Sequence, residues 1–278
     1  MEPSATENKP ATIHHLTIRR QMHEELSRLP NYAFYEGTLQ NDVATKRNLE
    51  DVQPGLAAAL TDILKSIGNN GPFVESILRR HYIVINGTRV TNEITQSKVV
   101  HEHCRFFCTH MFERLHEIFG DTFREKVLVL VAHGESLKYW NACLHEIMNR
   151  RRLSTKHVPE VSTIESAQVR GAVYTINDFT IQQMLDKRDA GFMIDHHRFN
   201  TGITRAEAVQ TTLGGNCEGR FLSMSMDIGP GAGEFRGCPI PVVHFRDHLV
   251  NNQVTYAYNE KMPESEYPAH LRQDSVVV

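Results

Sequence analysis

Asp195, His196 and His197 stand side by side directly after the short apolar run 191–194. A carboxylate beside imidazoles is the donor set that holds Mn²⁺ or Mg²⁺ and acidifies a bound water. Two further residues of the same chemistry sit at comparable places. His133 closes the apolar run 127–132, and Asp178 follows another apolar stretch. Elsewhere, His101, Glu102, His103 and Cys104 are followed by Cys108 and His110. Cys104 shares a helical stripe with Val100, Phe107, Met111 and Leu115, so these thiols read as small buried hydrophobes rather than zinc ligands. Gly134-Glu135-Ser136-Leu137-Lys138 has the strand–turn–serine–helix order of a nucleophile elbow, but Lys138 stands where a second glycine belongs. Ser136 therefore reads as a helix cap.

The order strand, helix, strand, Asp195-His196-His197 resembles the third motif of the DHH phosphoesterase superfamily, and the strand ending in His133-Gly134 resembles its first. That resemblance implies a metal-dependent phosphoesterase using Mn or Mg. Its metal ligands would be His133, Asp178, Asp195, His196 and His197, and Asp195, His196 and His133 would carry the catalysis. The family places two aspartates after the first-motif histidine, where this chain has only Glu135.

Arg150, Arg151, Arg152 and Lys156 form a basic cluster that reads as a nucleic-acid or phosphate contact, with Arg79, Arg80 and His81 as an extension if the fold brings them near. A net charge of −3 supplies no global field for a polyanion, so any such contact must be local. Each catalytic constellation lacks a member, and the leading expectation is a non-catalytic interaction or assembly protein, nucleocapsid-like or regulatory, with no cofactor. Its expected partners are another protein or a second copy, with nucleic acid as a further candidate.

These residues need a scaffold. The 278 residues, 40% hydrophobic, are enough for a sizeable core. The longest apolar run, 127–132, is too short to span a bilayer. Five scattered cysteines fit reduced thiols, hence a cytoplasmic location with the nucleus also open. The patterning gives a mixed α+β class: a helical N-terminal half with one β-hairpin, then an α/β-layered C-terminal half. Residues 1–11 and 262–278 read as flexible tails, 12–125 as the mainly helical lobe and 126–261 as the α/β lobe.

In the first half, helices are expected over 12–29, 54–67 and 97–119, with a short one from Pro72. The hairpin is expected at 82–91 around Asn86-Gly87. In the second half, strands are expected at 126–132, 169–176, 191–194, 221–228, 240–245 and 253–258. Helices are expected after His133 and at 179–187 and 204–213, with a glycine-rich loop at 229–237.

Overall fold

The structure, a computed structural model, describes residues 18–168, 170–182, 195–215, 245 and 255–258. Ten strands lie among them: β1 Ile18–Arg19, β2 Gln40–Asn41, β3 Arg80–Ile85, β4 Arg89–Thr91, β5 Lys98–Val100, β6 Val127–Val131, β7 Glu160–Thr163, β8 Ala172–Asp178, β9 Ala206–Gly214 and β10 Thr255–Tyr258. Six of these build one sheet in the order β10-β3-β9-β8-β6-β7, every neighbouring pair parallel. The expected mixed class is what the chain adopts.

Parallel sheets are covered on both faces, and the sequence of β6 shows how. Val127, Val129 and Val131 pack into one apolar cluster, while Leu128 and Leu130 pack into another. β3 divides the same way, with Ile83 and Ile85 on the first side and Tyr82 and Val84 on the second. The helices Leu56–Ser66 and Gly134–Arg151, with the helical run 101–119, cover the first face. The helices Glu24–Tyr35 and His196–Ile203 supply Leu29, Phe199 and Ile203 to the second. The first cluster draws on residues from Leu49 to Tyr258.

Several expectations are corrected. No hairpin joins 82–85 to 88–91: β3 runs between β9 and β10, and β4 pairs antiparallel with β5. Gly87 lies against the Glu102 side chain, whose Oε2 would stand 2.6 Å from a Cβ there and would have to move. Residues 98–100 are strand rather than helix. The helical run starts at His101 and passes through a π-helical stretch, Phe107–Met111, before continuing to Phe119. Its stripe is buried as expected, with Cys104, Phe107, Met111 and Leu115 fully enclosed.

The first described helix starts at Glu24, not at 12. His23 Nδ1 accepts the Glu25 amide and Glu24 and Glu25 suit the positive end of the helix dipole, while Pro30 lies inside the helix instead of ending it. Residues 204–213 form no helix; Ala206–Gly214 is the central strand β9. Gly214 and Gly215 admit close neighbours there, a Cβ on Gly214 falling 1.9 Å from the Tyr82 hydroxyl. β8 lies slightly later than expected and β7 has no counterpart in the sequence reading. Residues 179–182 are not helical; the rest of 179–187, the expected strands at 191–194 and 221–228, the loop at 229–237, both tails and most of 240–245 lie outside the described residues.

Candidate functional site

The strands of a parallel sheet all point one way, so their ends define two edges. At the carboxyl edge, β6 leads outward to β7 while β8 leads back to β9, a reversal that opens a crevice at which α/β sheets commonly bind ligands. Asp178, the last residue of β8, lies there fully buried. Its Oδ1 accepts from His103 Nδ1 at 2.7 Å and from the Thr180 amide at 3.0 Å, and its Oδ2 accepts from Trp140 Nε1 at 2.8 Å. Gln182 Nε2 donates to His103 Nε2 at 2.7 Å, and Gln182 Oε1 accepts from the Gly87 amide. Thr180 holds φ 55°, an outlier for a β-branched residue that this network keeps in place. Both carboxylate oxygens thus accept from protein donors among the described residues.

The opposite edge is built differently. Arg80 opens β3 and Arg205 immediately precedes β9; the register sets Arg80 opposite Gln210, and its side chain extends back to Ile203 O, two residues before Arg205. The segment 18–23 crosses this edge. His23 N–H donates to Glu207 O at 2.8 Å, and Gln21 packs where a Cβ on Gly171 would stand. Arg19 thereby lies close enough to Arg80 and Arg205 for mutual repulsion. Burial first, then the Arg19 charge, pushes the Arg80 guanidinium down to about 9. Burial likewise lowers Arg19 and Arg205.

Arg80 Nε donates to Gln210 Oε1 at 2.9 Å and Nη2 to Ile203 O at 3.3 Å, while its buried Nη1 has no protein partner. Arg205 donates to Gln168 O and Thr204 Oγ1, and its buried Nε is likewise left over. Arg19 sits 5.6 Å over the Tyr35 ring. Nearby lies a small depression of about 30 Å³, room for a water-sized group, lined by Arg20, Gln21, His23, Arg47, Arg79 and Glu207 among others but not by Arg19, Arg80 or Arg205. Arg79 is committed to Glu75 and the carbonyls of Arg47 and Ala208. Buried cations with unused donors and no carboxylate beside them suit an anion, above all the bidentate geometry of a phosphate.

The residues read from the sequence are scattered by comparison. Asp195 caps the His196–Ile203 helix, accepting the His197 and Arg198 amides at 2.9 and 3.1 Å. Those amides hold its exposed carboxyl below the usual carboxylate range, the Arg198 amide most. His196 and His197 are exposed, and His133 sits at the carboxyl end of β6, its pKa lowered by burial. Among the described residues no three His, Cys, Asp or Glu side chains form a group that could hold a metal ion.

Arg151 pairs with Glu113 and lies 5.5 Å over Phe112; Lys156 pairs with Asp121 at 2.9 Å. Arg152 is the left-handed cap of its helix, next to Arg150 in the last turn. Arg79, Arg80 and His81 are buried at β3 instead of extending that patch. Sequence reasoning did not select Arg19 or Arg205, and no local spacing links them.

The family described as AAA domain matches residues 3–216. No curated protein matches the chain. The match replaces the DHH resemblance, and Asp195-His196-His197 is the cap and first turn of a helix. It also overturns both the non-catalytic assembly reading and its phosphoesterase alternative, because AAA-type domains are nucleotide-handling domains. The expectation of no cofactor falls with them, since such domains normally bind nucleotide with Mg. The arginine edge fits the phosphates of that ligand. It does not by itself fit the metal, and the 278 residues contain no Gly-x₄-Gly-Lys-Ser/Thr run to cradle a metal-bound phosphate. Among the described residues no helix is long and apolar enough to cross a membrane.

Proposed function

We propose, for a chain that belongs to the AAA domain family, that the arginine edge binds the phosphates of a nucleoside triphosphate and neutralises the charge that develops during phosphoryl transfer. The observation that carries this reading is the set of donors left over on buried guanidinium groups, Arg80 Nη1 and Arg205 Nε, beside Arg19. A buried cation without a counter-charge is costly, and an incoming phosphate oxygen removes that cost. Positioned cations matter most in the transition state, where they stabilise charge spread over the transferring group without reorganising. Tyr35, partly exposed and stacked under Arg19, offers an aromatic face next to the cluster. Magnesium, when bound with the nucleotide, neutralises phosphate charge in parallel; this chain's own part is to fix the arginines. Gln210 orients Arg80 through Nε, while Gln168 O and Thr204 Oγ1 orient Arg205.

Nucleic acid presents phosphates to the same donors, so the test carries both probes. Binding of a fluorescent ATP analogue with Mg²⁺ and of a labelled single-stranded RNA is measured by anisotropy on the full chain. A charge-assisted hydrogen bond contributes about 1.5–3 kcal/mol, so Arg205→Ala should weaken the ATP analogue by about tenfold or more. Arg80→Met should do likewise, and triphosphate should bind more tightly than monophosphate. Unchanged affinity for the ATP analogue in both variants overturns the proposal, as does a loss confined to RNA.

A further inference from the structure

Three thiols from two elements meet on the first face of the sheet. Cys104 lies on the His101–Phe106 helix, Cys108 in the π-helical stretch that follows, and Cys143 on the facing Gly134–Arg151 helix. All three pack together, Cys104 and Cys143 within the apolar cluster of this face and Cys108 against it. Cys104 and Cys143 are buried, whereas Cys108 reaches solvent in part. The insertion of a π turn, a distortion frequent at functional sites, places Cys108 at the margin of the apolar stripe. Neither the arginine edge nor the Asp178 network uses these groups.

We propose that Cys108 is a site of oxidation by hydroperoxides, with Cys143 as the thiol that resolves its sulfenic acid into a disulfide across the two helices. The cluster divides the labour. Burial pushes the Cys104 thiol up, while hydrogen bonds from Cys104 and Cys143 hold the Cys108 thiol well below its ordinary value, aided by the nearby Arg150 charge. The thiolate is the nucleophile, and partial exposure admits a small oxidant.

In the first step the Cys108 sulfur bonds to one peroxide oxygen and the O–O bond breaks. The leaving hydroxide takes a proton and departs as water. In the second, the Cys143 sulfur bonds to the Cys108 sulfur, the S–O bond breaks, and hydroxide leaves with the Cys143 proton as a second water. The peroxide accepts two electrons and the two thiols supply them. Cys143 resolves rather than Cys104 because Cys104 and Cys108 lie four residues apart on one helical run, where parallel Cα–Cβ directions oppose the roughly 90° torsion of a disulfide.

The test uses the full-length chain. Alkylation with limiting iodoacetamide, read by peptide mass mapping, should modify Cys108 about tenfold faster than Cys104 or Cys143. A few equivalents of hydrogen peroxide should yield a Cys108–Cys143 linked peptide that dithiothreitol reverses. In Cys143→Ser, dimedone should instead trap the sulfenic acid at Cys108. Alkylation of Cys108 no faster than of Cys104 overturns the proposal, as does a peroxide-treated wild-type chain linked only through Cys104 or not linked at all. The wild-type measurements decide the matter even if the serine variant folds poorly.

Discussion

The two edges of the sheet treat buried charge in opposite ways. At the carboxyl edge, Asp178 is surrounded by donors from His103, Trp140 and Thr180, and the chain of hydrogen bonds closes on Gln182 and Gly87. At the amino edge, one buried guanidinium nitrogen each of Arg80 and Arg205 has no partner among the described residues. At the edge favoured by topology the buried carboxylate is fully paired, and the edge topology does not favour holds the unused donors. A fully satisfied network rigidifies a fold, whereas a half-satisfied one stays costly until a ligand completes it. Location in the sheet alone points to the carboxyl edge; the pairing of each polar atom points to the amino edge.

The largest expected effect lies at the closed edge. Asp178→Ala removes the acceptor for two buried side-chain donors and one amide at once, and breaking a buried ionic network of this kind costs about 3–5 kcal/mol. Urea denaturation should show the midpoint falling accordingly. A loss under about 1 kcal/mol would mean the network is not closed in solution, and the contrast with the arginine edge would dissolve.

Half of that contrast was visible in the sequence. The sequence offers Asp178 as a candidate metal ligand; the structure places it instead as the acceptor of buried protein donors. Its partner His103 is 75 residues away, however, and no spacing rule connects them. The strand β6 was legible because five consecutive Val and Leu residues leave little alternative. The strand β9 was not: Ala206, Glu207, Ala208 and Gln210 favour helix locally, and only burial between β3 and β8 overrides them. A helix over 204–213 also hides the arginine edge, because Arg80 meets Gln210 and Ile203 O only when β3 and β9 pair in parallel. Asp195-His196-His197 misleads because a helix cap and a metal motif draw on the same residue types.

His81 gives an intermediate effect and tests why the amino edge tolerates a charged arginine but not a charged histidine. Its Nδ1 donates to Leu78 O at 3.2 Å, and its Nε2 accepts from Thr211 Oγ1 at 2.7 Å, which Tyr174 approaches in turn at 2.5 Å. Burial pushes its pKa down to about 4. The unfolded chain therefore binds the extra proton below about 6.5 and the folded one does not, so stability is full above 6.5 and is lost as pH falls toward 4. The loss should be on the order of 3 kcal/mol at pH 4. Denaturation midpoints of wild type and His81→Asn between pH 7 and 4 check this. Equal slopes in the two proteins would show that His81 does not carry the dependence.

The smallest stability effect should come from the residue that matters most for binding. Arg80 is buried with a spare donor and no carboxylate, so its charge contributes little or nothing to folding. Met keeps much of its volume and removes the desolvation cost, and replacing buried charge by an apolar side chain is often neutral or stabilising by about 1–4 kcal/mol. Against this stands the loss of its bonds to Gln210 and Ile203, about 1 kcal/mol each. The two contributions oppose one another, and the net change in Arg80→Met should stay within about 1 kcal/mol of zero. Measured by the same urea titration, a loss of 3 kcal/mol or more would show that Arg80 is a structural cation as tightly bound into the fold as Asp178. The amino edge would then resemble the carboxyl edge, and its leftover donor would no longer mark a place for phosphate.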